Sequence, residues 1–347
     1  MARHLRVLYV HGEPAVDPPD ASSIQIRPAN EHPNILIITL RIPPETDPDS
    51  AASEQRRMLK TILLGPVGLA FERPVQWFDD PTAFRVFGGC LNEQAVVYHC
   101  TEPLAFESGE APALVENENE LLAATDVVFA DGPSLQRAKR EVNPNCHTYG
   151  CGVDAAAFRP DAARQRSGGP IFGCFGPFER RFDQDLVRRV AEQNPNATIV
   201  IVGTSGERPE ALQRSNIRWV VLDRDEDVPA VAKTFDVCLL PYVTDASTEF
   251  WNPPAAIQAL ACGRPVVATA VPDVVSQFGG LIAVGRTPEE FLQRAREAVE
   301  RLDSKAILEG LAVARRHDWA VLAERIDRHI LGVLDRRTLR PGLTRAA

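Results

Sequence analysis

The amino-acid sequence predicts an α/β protein built from two Rossmann-like domains facing a central cleft. Three observations carry that expectation. Short apolar runs recur without polar alternation, as strands covered on both faces require. Amphipathic segments alternate with them, and the order strand, helix, strand implies parallel sheets joined by right-handed crossovers. The pattern then restarts. The stretch from Phe158 to Pro170 is polar and carries Pro and Gly, and a fresh apolar run begins at Ile171. That stretch reads as a linker. It places an N-terminal domain over residues 1–164 and a C-terminal domain over residues 165–347.

In the first half the expected strands are Leu5–Val10, Ile35–Leu40, Val75–Phe78, Ala95–His99, Asp126–Ala130 and Cys146–Tyr149. In the second they are Ile171–Phe175, Thr198–Val202, Ile217–Val221, Val237–Pro241 and Pro265–Ala268. Helical patterns occupy Ala51–Leu64, Glu116–Thr125, Leu186–Asn194, Val228–Thr234 and Pro254–Ala261. The run from Glu289 to Leu334 is helical in character and needs a surface for its apolar stripe, so it is expected to cross back onto the first domain. The segments Pro14–Ser23 and Ile42–Ala52 are rich in Pro, Asp and Ser. They read either as mobile surface loops or as an acceptor-binding rim at the ligand edge of an α/β sheet.

The chain has 347 residues, with 47 acidic and 38 basic side chains and a net charge of −9. That balance argues against broad binding to nucleic acid or to anionic lipid, but leaves room for a small basic pocket. No stretch approaches the roughly 18 to 20 apolar residues of a membrane span. The apolar start is too short for a signal peptide. Seven cysteines without a CxxC pair read as reduced thiols of a cytoplasmic protein. Cys146, His147 and Cys151 lack a second ligand cluster, so no metal site is expected.

The most informative segment is Asp236–Thr269: an apolar run ending in Leu-Leu-Pro-Tyr, a polar loop, Asn-Pro-Pro-Ala-Ala-Ile-Gln-Ala-Leu-Ala-Cys-Gly-Arg-Pro, and a second apolar run. Asn252 is placed to cap a helix and Pro253 to occupy its first turn. Such a helix start would offer free N–H groups to a diphosphate. Gly263 can end the helix in a left-handed conformation, and Pro265 prevents its continuation. On spacing alone, an ordinary well-capped βαβ crossover explains the segment equally.

The words of this segment resemble the donor-binding motif of GT-B glycosyltransferases, particularly the bacterial polysaccharide-type enzymes. Other segments follow the same family in order: Val96–Glu102, Ala124–Pro133, Asn143-Pro-Asn145 with Gly152-Val-Asp154 and Phe158, Gly173–Asp185, and His317-Asp-Trp319. The resemblance runs from about residue 70 to 330. It implies transfer of a sugar from a nucleoside-diphosphate donor, UDP- or GDP-linked, to the hydroxyl of a glycan or glycolipid. It also implies no bound catalytic metal and no further cofactor, and it leaves peripheral membrane association open. Many relatives carry Lys for the diphosphate and Glu for the ribose where this chain has Ala255 and Gln258. Gln258 can still bond a ribose hydroxyl. Arg180, Arg181 or Arg264 would then meet the phosphates, the first two in the loop that follows Gly176. The first domain has no strong Gly-Gly loop, only His11-Gly12-Glu13.

Glycosyl transfer needs a group that assists the acceptor hydroxyl and charges that stabilise the leaving diphosphate. Glu102 follows the Ala95–His99 run and aligns with the family's acidic position. Glu13, in a loop after the first strand, and His99 are the next candidates, and Glu249 is placed to touch the donor sugar. Two other readings use the same fold. One is a non-catalytic GT-B module that keeps only nucleotide binding. The other is an epimerase or phosphorylase, for which none of the four lysines lies in a suitable motif.

Overall fold

A computed structural model describes residues 5–14, 21–30, 32–102, 112–160, 168–176, 180–203 and 208–338. The domain boundary expected at residues 164 and 165 lies outside the described residues.

The first half forms two sheets where one was expected. Strands β1 (Val7–Pro14), β2 (Ser23–Ala29) and β3 (His32–Ile42) make a three-stranded sheet in the order β1-β3-β2, with β1 parallel and β2 antiparallel to β3. Helix α1 (Pro48–Leu64) covers one face, where Met58, Leu59 and Ile62 meet Ile38, Leu40 and Ile42. The expected loop over Ile42–Ala52 therefore ends early. Asp47 accepts the N–H of Ser50 at 3.0 Å and Pro48 opens the helix, so α1 starts where the cap chemistry puts it.

A second sheet of four parallel strands follows, β4 (Val75–Phe78), β5 (Ala95–Cys100), β6 (Val127–Ala130) and β7 (Cys146–Thr148), in chain order. Helices α2 (Pro81–Phe87), α3 (Pro112–Ala124) and α4 (Pro133–Arg140) connect them. The two sheets are fastened through helices: Arg56 of α1 donates to the carbonyls of Val86, at 2.7 Å, and Arg85, at 3.2 Å.

The second half holds a six-stranded parallel sheet. Its elements are β8 (Ile171–Phe175), α5 (Gln184–Gln193), β9 (Thr198–Gly203), β10 (Ile217–Val221), α6 (Val228–Ala232), β11 (Val237–Leu240), α7 (Pro254–Ala261), β12 (Val266–Thr269), α8 (Pro272–Phe278) and β13 (Ala283–Gly285). The strand order β10-β9-β8-β11-β12-β13 reverses direction between β8 and β11. In such a sheet the crevice beyond the strand C-termini at the reversal is where ligands bind. The strands read as continuous apolar runs because both faces are covered: Cys174, Ile199, Ile201, Val237, Leu239 and Val267 are all fully buried.

Helices α9 (Pro288–Glu300), α10 (Ser304–Arg316) and α11 (Trp319–Thr338) close the chain. Leu322, Ile330 and Val333 of α11 pack on Ala95, Val97, Val127 and Phe129, a face of the four-stranded sheet. Arg337 adds a 2.6 Å ion pair to Asp126. Val153 and Trp319 exchange backbone bonds with the α10–α11 corner, through Val153 N–H to the His317 carbonyl at 3.0 Å and Trp319 N–H to the Val153 carbonyl at 3.2 Å. The Trp319 ring lies over Gly152, where a Cβ would stand 2.3 Å from the indole. The words Gly152-Val-Asp154 and His317-Asp-Trp319 are thus two sides of one joint.

Candidate active site

The C-terminal ends of β8 and β11 are tied across the strand-order reversal. Asp183 N–H donates to the Pro241 carbonyl at 2.8 Å, Val243 N–H to the Arg181 carbonyl at 3.0 Å, and Phe182 bridges Tyr242. This double tie fixes the backbone on either side of Arg181. Its side chain points toward the first half and ends on Glu102. Nη1 donates to Oε1 at 2.7 Å and Nη2 to Oε2 at 3.0 Å, a two-pronged ion pair whose side chains are 16% and 28% exposed. Nε donates to the Ser247 carbonyl at 3.1 Å, and the guanidinium carbon lies 5.0 Å from the centroid of the buried Trp251 ring. Two residues singled out for different tasks, a proton acceptor and a phosphate ligand, therefore meet directly.

Around this pair lie the other expected site residues of the second half. Gly176 follows β8 and donates its N–H to the Val202 carbonyl at 2.9 Å. Arg180 is exposed. Asp245 caps the turn Ala246–Thr248, and its carboxyl is held below the usual range by the Ser247 hydrogen bonds first and by the charges of Arg180 and Arg181 after them. Glu249 is exposed just beyond that turn. Gln258 is half-buried in α7, and among the described residues its side-chain amide makes no hydrogen bond.

Asn252 does something other than expected. It does not cap α7. The cap position is Pro253, Pro254 opens the helix, and no side-chain cap bond forms. Two prolines carry no N–H, and the Ala256 N–H already bonds the Pro253 carbonyl at 3.0 Å. The start of α7 thus offers few donors to an anion. The buried Asn252 side chain instead joins the halves: Nδ2 donates to the Asp131 carbonyl at 2.7 Å, and Oδ1 accepts from Gln277 Nε2 at 3.0 Å. The cap rule misreads it because a buried amide with a carbonyl in front of it satisfies that partner first.

His99 closes β5 with Nε2 at 2.8 Å from Asp131 Oδ1 and its ring edge-on to Trp77. Glu13 is not in a loop after the first strand. Strand β1 extends to Pro14, and Glu13 pairs in register with Arg41 of β3, on the three-stranded sheet. The structure thus brings Glu102 and Arg181 together and leaves Glu13 on a different sheet from Glu102 and His99.

Comparison with known proteins bears on the fold and the activity. A family model described as "Glycosyl transferases group 1" matches residues 170–301, the region of the six-stranded sheet and α9. TuaH of Bacillus subtilis (strain 168), assigned as a glycosyltransferase of teichuronic acid biosynthesis, is 22% identical over 294 residues, covering 76% of this chain and 73% of that protein. The protein is a glycosyltransferase with the GT-B fold. Solved structures agree in fold. Sucrose-phosphate synthase from Thermosynechococcus elongatus superposes with a TM-score of 0.69 at 16% identity, covering 98% of this chain and 91% of that one. HepE of Anabaena, in complex with UDP and glucose, gives 0.66 at 13% identity, covering 95% and 100%.

Residues outside the donor motif also join the two halves. Asp273, fully buried at the start of α8, accepts from Ser134 at the start of α4, from N–H at 3.0 Å and Oγ at 2.8 Å. Burial pushes its carboxyl up, against the Ser134 bonds that pull it down. Gly132 allows this approach, since a Cβ there would stand 1.9 Å from Asp273 Oδ2. The one local signal was the pair of Pro residues, Pro133 and Pro272, each opening a short helix. Of the cysteines, Cys146 and Cys151 are pushed up by burial, and among the described residues no group of three or more His, Cys, Asp or Glu could hold a metal ion.

Proposed function

We propose that this glycosyltransferase moves a sugar from a UDP- or GDP-linked donor to the hydroxyl of a glycan or glycolipid in bacterial polysaccharide synthesis. The meeting of Glu102 and Arg181 at the strand-order reversal carries the proposal. Arg181, with Arg180 beside it, takes the diphosphate, since a guanidinium fork matches phosphate oxygens as well as it matches a carboxylate. Gln258 bonds the ribose, Glu249 reaches the donor sugar, and Glu102 takes the proton of the acceptor hydroxyl. The acceptor oxygen forms its bond to the anomeric carbon. The bond from that carbon to the diphosphate breaks, and its electron pair leaves on the diphosphate, whose charge Arg181 meets. In this reading the protein supplies that charge without a resident metal or other cofactor.

The TuaH likeness supports a polysaccharide setting, and HepE, a fold neighbour, binds UDP and glucose. Seven cysteines free of disulfides support a reducing, cytoplasmic location. A glycolipid acceptor would bring the protein to the membrane surface from outside. Among the described residues no helix is long and apolar enough to cross a membrane.

Calorimetry with UDP, GDP, ADP and dTDP tests the donor site. Gln258→Ala should weaken the preferred nucleotide by about 1 to 2 kcal/mol, the worth of one hydrogen bond in a half-buried site. Unchanged affinity would move the ribose elsewhere.

A further inference from the structure

We propose that the Glu102–Arg181 pair is a donor-operated latch: the diphosphate takes Arg181 from Glu102, and only then is Glu102 released to accept a proton from the acceptor. The inference rests on the donor reading above and goes beyond it, because it couples the two substrates through one guanidinium.

The pair fits that role in three respects. It spans the two halves of the molecule, with Glu102 just past β5 and Arg181 just past β8. Both carboxylate oxygens are engaged, at 2.7 and 3.0 Å. A carboxylate clamped by a cation is a poor proton acceptor, since the cation favours its charged form over the protonated one. As it stands, therefore, Glu102 is held out of its catalytic role. Finally, Arg181 has a second anchor that does not depend on Glu102: its Nε bonds the Ser247 carbonyl and its plane lies over Trp251. Those contacts can steady the guanidinium while its two terminal nitrogens change partner.

The physical drive for the exchange is charge. A diphosphate brings more negative charge than one carboxylate and presents the same paired-oxygen geometry to the fork. It also repels the Glu102 carboxylate. Helix α7 carries no basic residue and so supplies no second cation. The exchange therefore falls on the Arg180–Arg181 loop. Binding becomes ordered, donor before acceptor.

The latch makes a prediction of unusual sign. A competitor that holds Arg181 closed in about nine molecules of ten weakens the apparent affinity of any ligand needing Arg181 about tenfold. Glu102→Gln removes the competing charge and keeps the shape. In calorimetry with the preferred nucleoside diphosphate from the panel above, Glu102→Gln should bind about tenfold tighter than the unaltered protein. The double variant Glu102→Gln, Arg181→Gln should lose the gain and match Arg181→Gln alone. If the unaltered protein binds and Glu102→Gln binds equally or more weakly, the latch is overturned while the donor site stands. A gain that survives in the double variant also overturns it, because the gain then does not pass through Arg181. If none of the four nucleotides binds either protein, the donor reading fails and the latch falls with it. Should Glu102→Gln not fold, a crystal of the unaltered protein soaked with the preferred nucleotide decides. Arg181 on a phosphate oxygen and parted from Glu102 supports the latch; an intact pair beside a bound nucleotide overturns it.

Discussion

Replacing Asp273 by Ala tests how the two halves are joined. The carboxylate is fully buried and receives two bonds from Ser134, at 3.0 and 2.8 Å, across a sequence separation of 139. Ala leaves the Ser134 N–H and hydroxyl facing a void. An orphaned buried donor costs about 1 to 3 kcal/mol, and removing a buried charge returns part of that, so the net loss should be about 2 to 4 kcal/mol. Asn separates the hydrogen bonds from the charge. It can accept from the N–H through its oxygen and donate to the hydroxyl through its nitrogen. Burial raises the Asp273 carboxyl above its ordinary 3.8, so this shift costs stability once pH has risen through the folded value. Asn lacks that cost. Asp273→Asn should therefore lie within about 1 kcal/mol of the unaltered protein at neutral pH. Urea unfolding of the three proteins provides the measurement. A loss as large for Asn as for Ala, or a loss below about 1 kcal/mol for Ala, would refute the argument that Ser134 depends on this acceptor.

Gly152→Ala should destabilise by about 1 to 3 kcal/mol, the usual cost of overpacking, because the new methyl meets the Trp319 indole at 2.3 Å; a chemical melt reads it, and Trp319→Leu in the same chain should recover part of the loss. Lys139→Met strands the buried Glu118 carboxylate, which Lys139 meets at 2.7 Å beside the Tyr98 hydroxyl at 2.9 Å, and should cost about 3 to 5 kcal/mol; a double change with Glu118→Leu should restore most of it. His147 and His317 are held below their ordinary 6.5, by burial first and by neighbouring positive charge after it. Their neutral forms belong to the fold, so the stability they contribute is present above pH 6.5 and is lost as pH falls below it, with a slope of at most about 1.4 kcal/mol per pH unit for each group. His147, the more exposed, should contribute the smaller share; unfolding midpoints between pH 7.5 and 5.5 that do not move would contradict the sign (roughly the range over which an unperturbed His titrates).

Elements with a compact apolar run, or with a Pro and a Gly framing them, are legible in the sequence. Ile171–Phe175 and Ile217–Val221 are strands with the expected ends, and Pro254–Ala261 is a helix with the expected ends, closed by Gly263 at a φ of 60°. Strand β2 was missed because it lies at a sheet edge and is exposed along nearly its whole length, so no apolar run marks Ser23–Ala29. Helices α2, α4 and α8 are seven or eight residues long, too short for a helical period to declare itself; each opens on a Pro, and Asp80 caps α2. In the site, Glu102 and Arg181 are each readable as chemistry at a strand end. Their pairing is not, since 79 residues separate them and nothing local to either one names the other.

Asn252 and Arg181 together show how this chain uses the donor motif. In the sequence, Asn252-Pro253 reads as a helix start aimed at a phosphate. In the structure the amide is spent on Asp131 and Gln277, and prolines occupy the first positions of α7. Gln277 also donates to the carbonyl of Asp273, the residue that holds Ser134. One continuous set of hydrogen bonds thus runs from α4 through α8 to the start of α7. It ties Asn252, just before α7, to the Asp131 carbonyl just past β6. A motif can therefore bear on donor binding without touching the donor: Asn252 sets where α7 stands, and charge comes from the loop after β8. Loss of Asn252 would then be felt as a change in the spacing of the halves, and loss of Arg181 as a change in anion affinity. The two effects are separable because the Asn252 ties and the Arg181 ties share no bond.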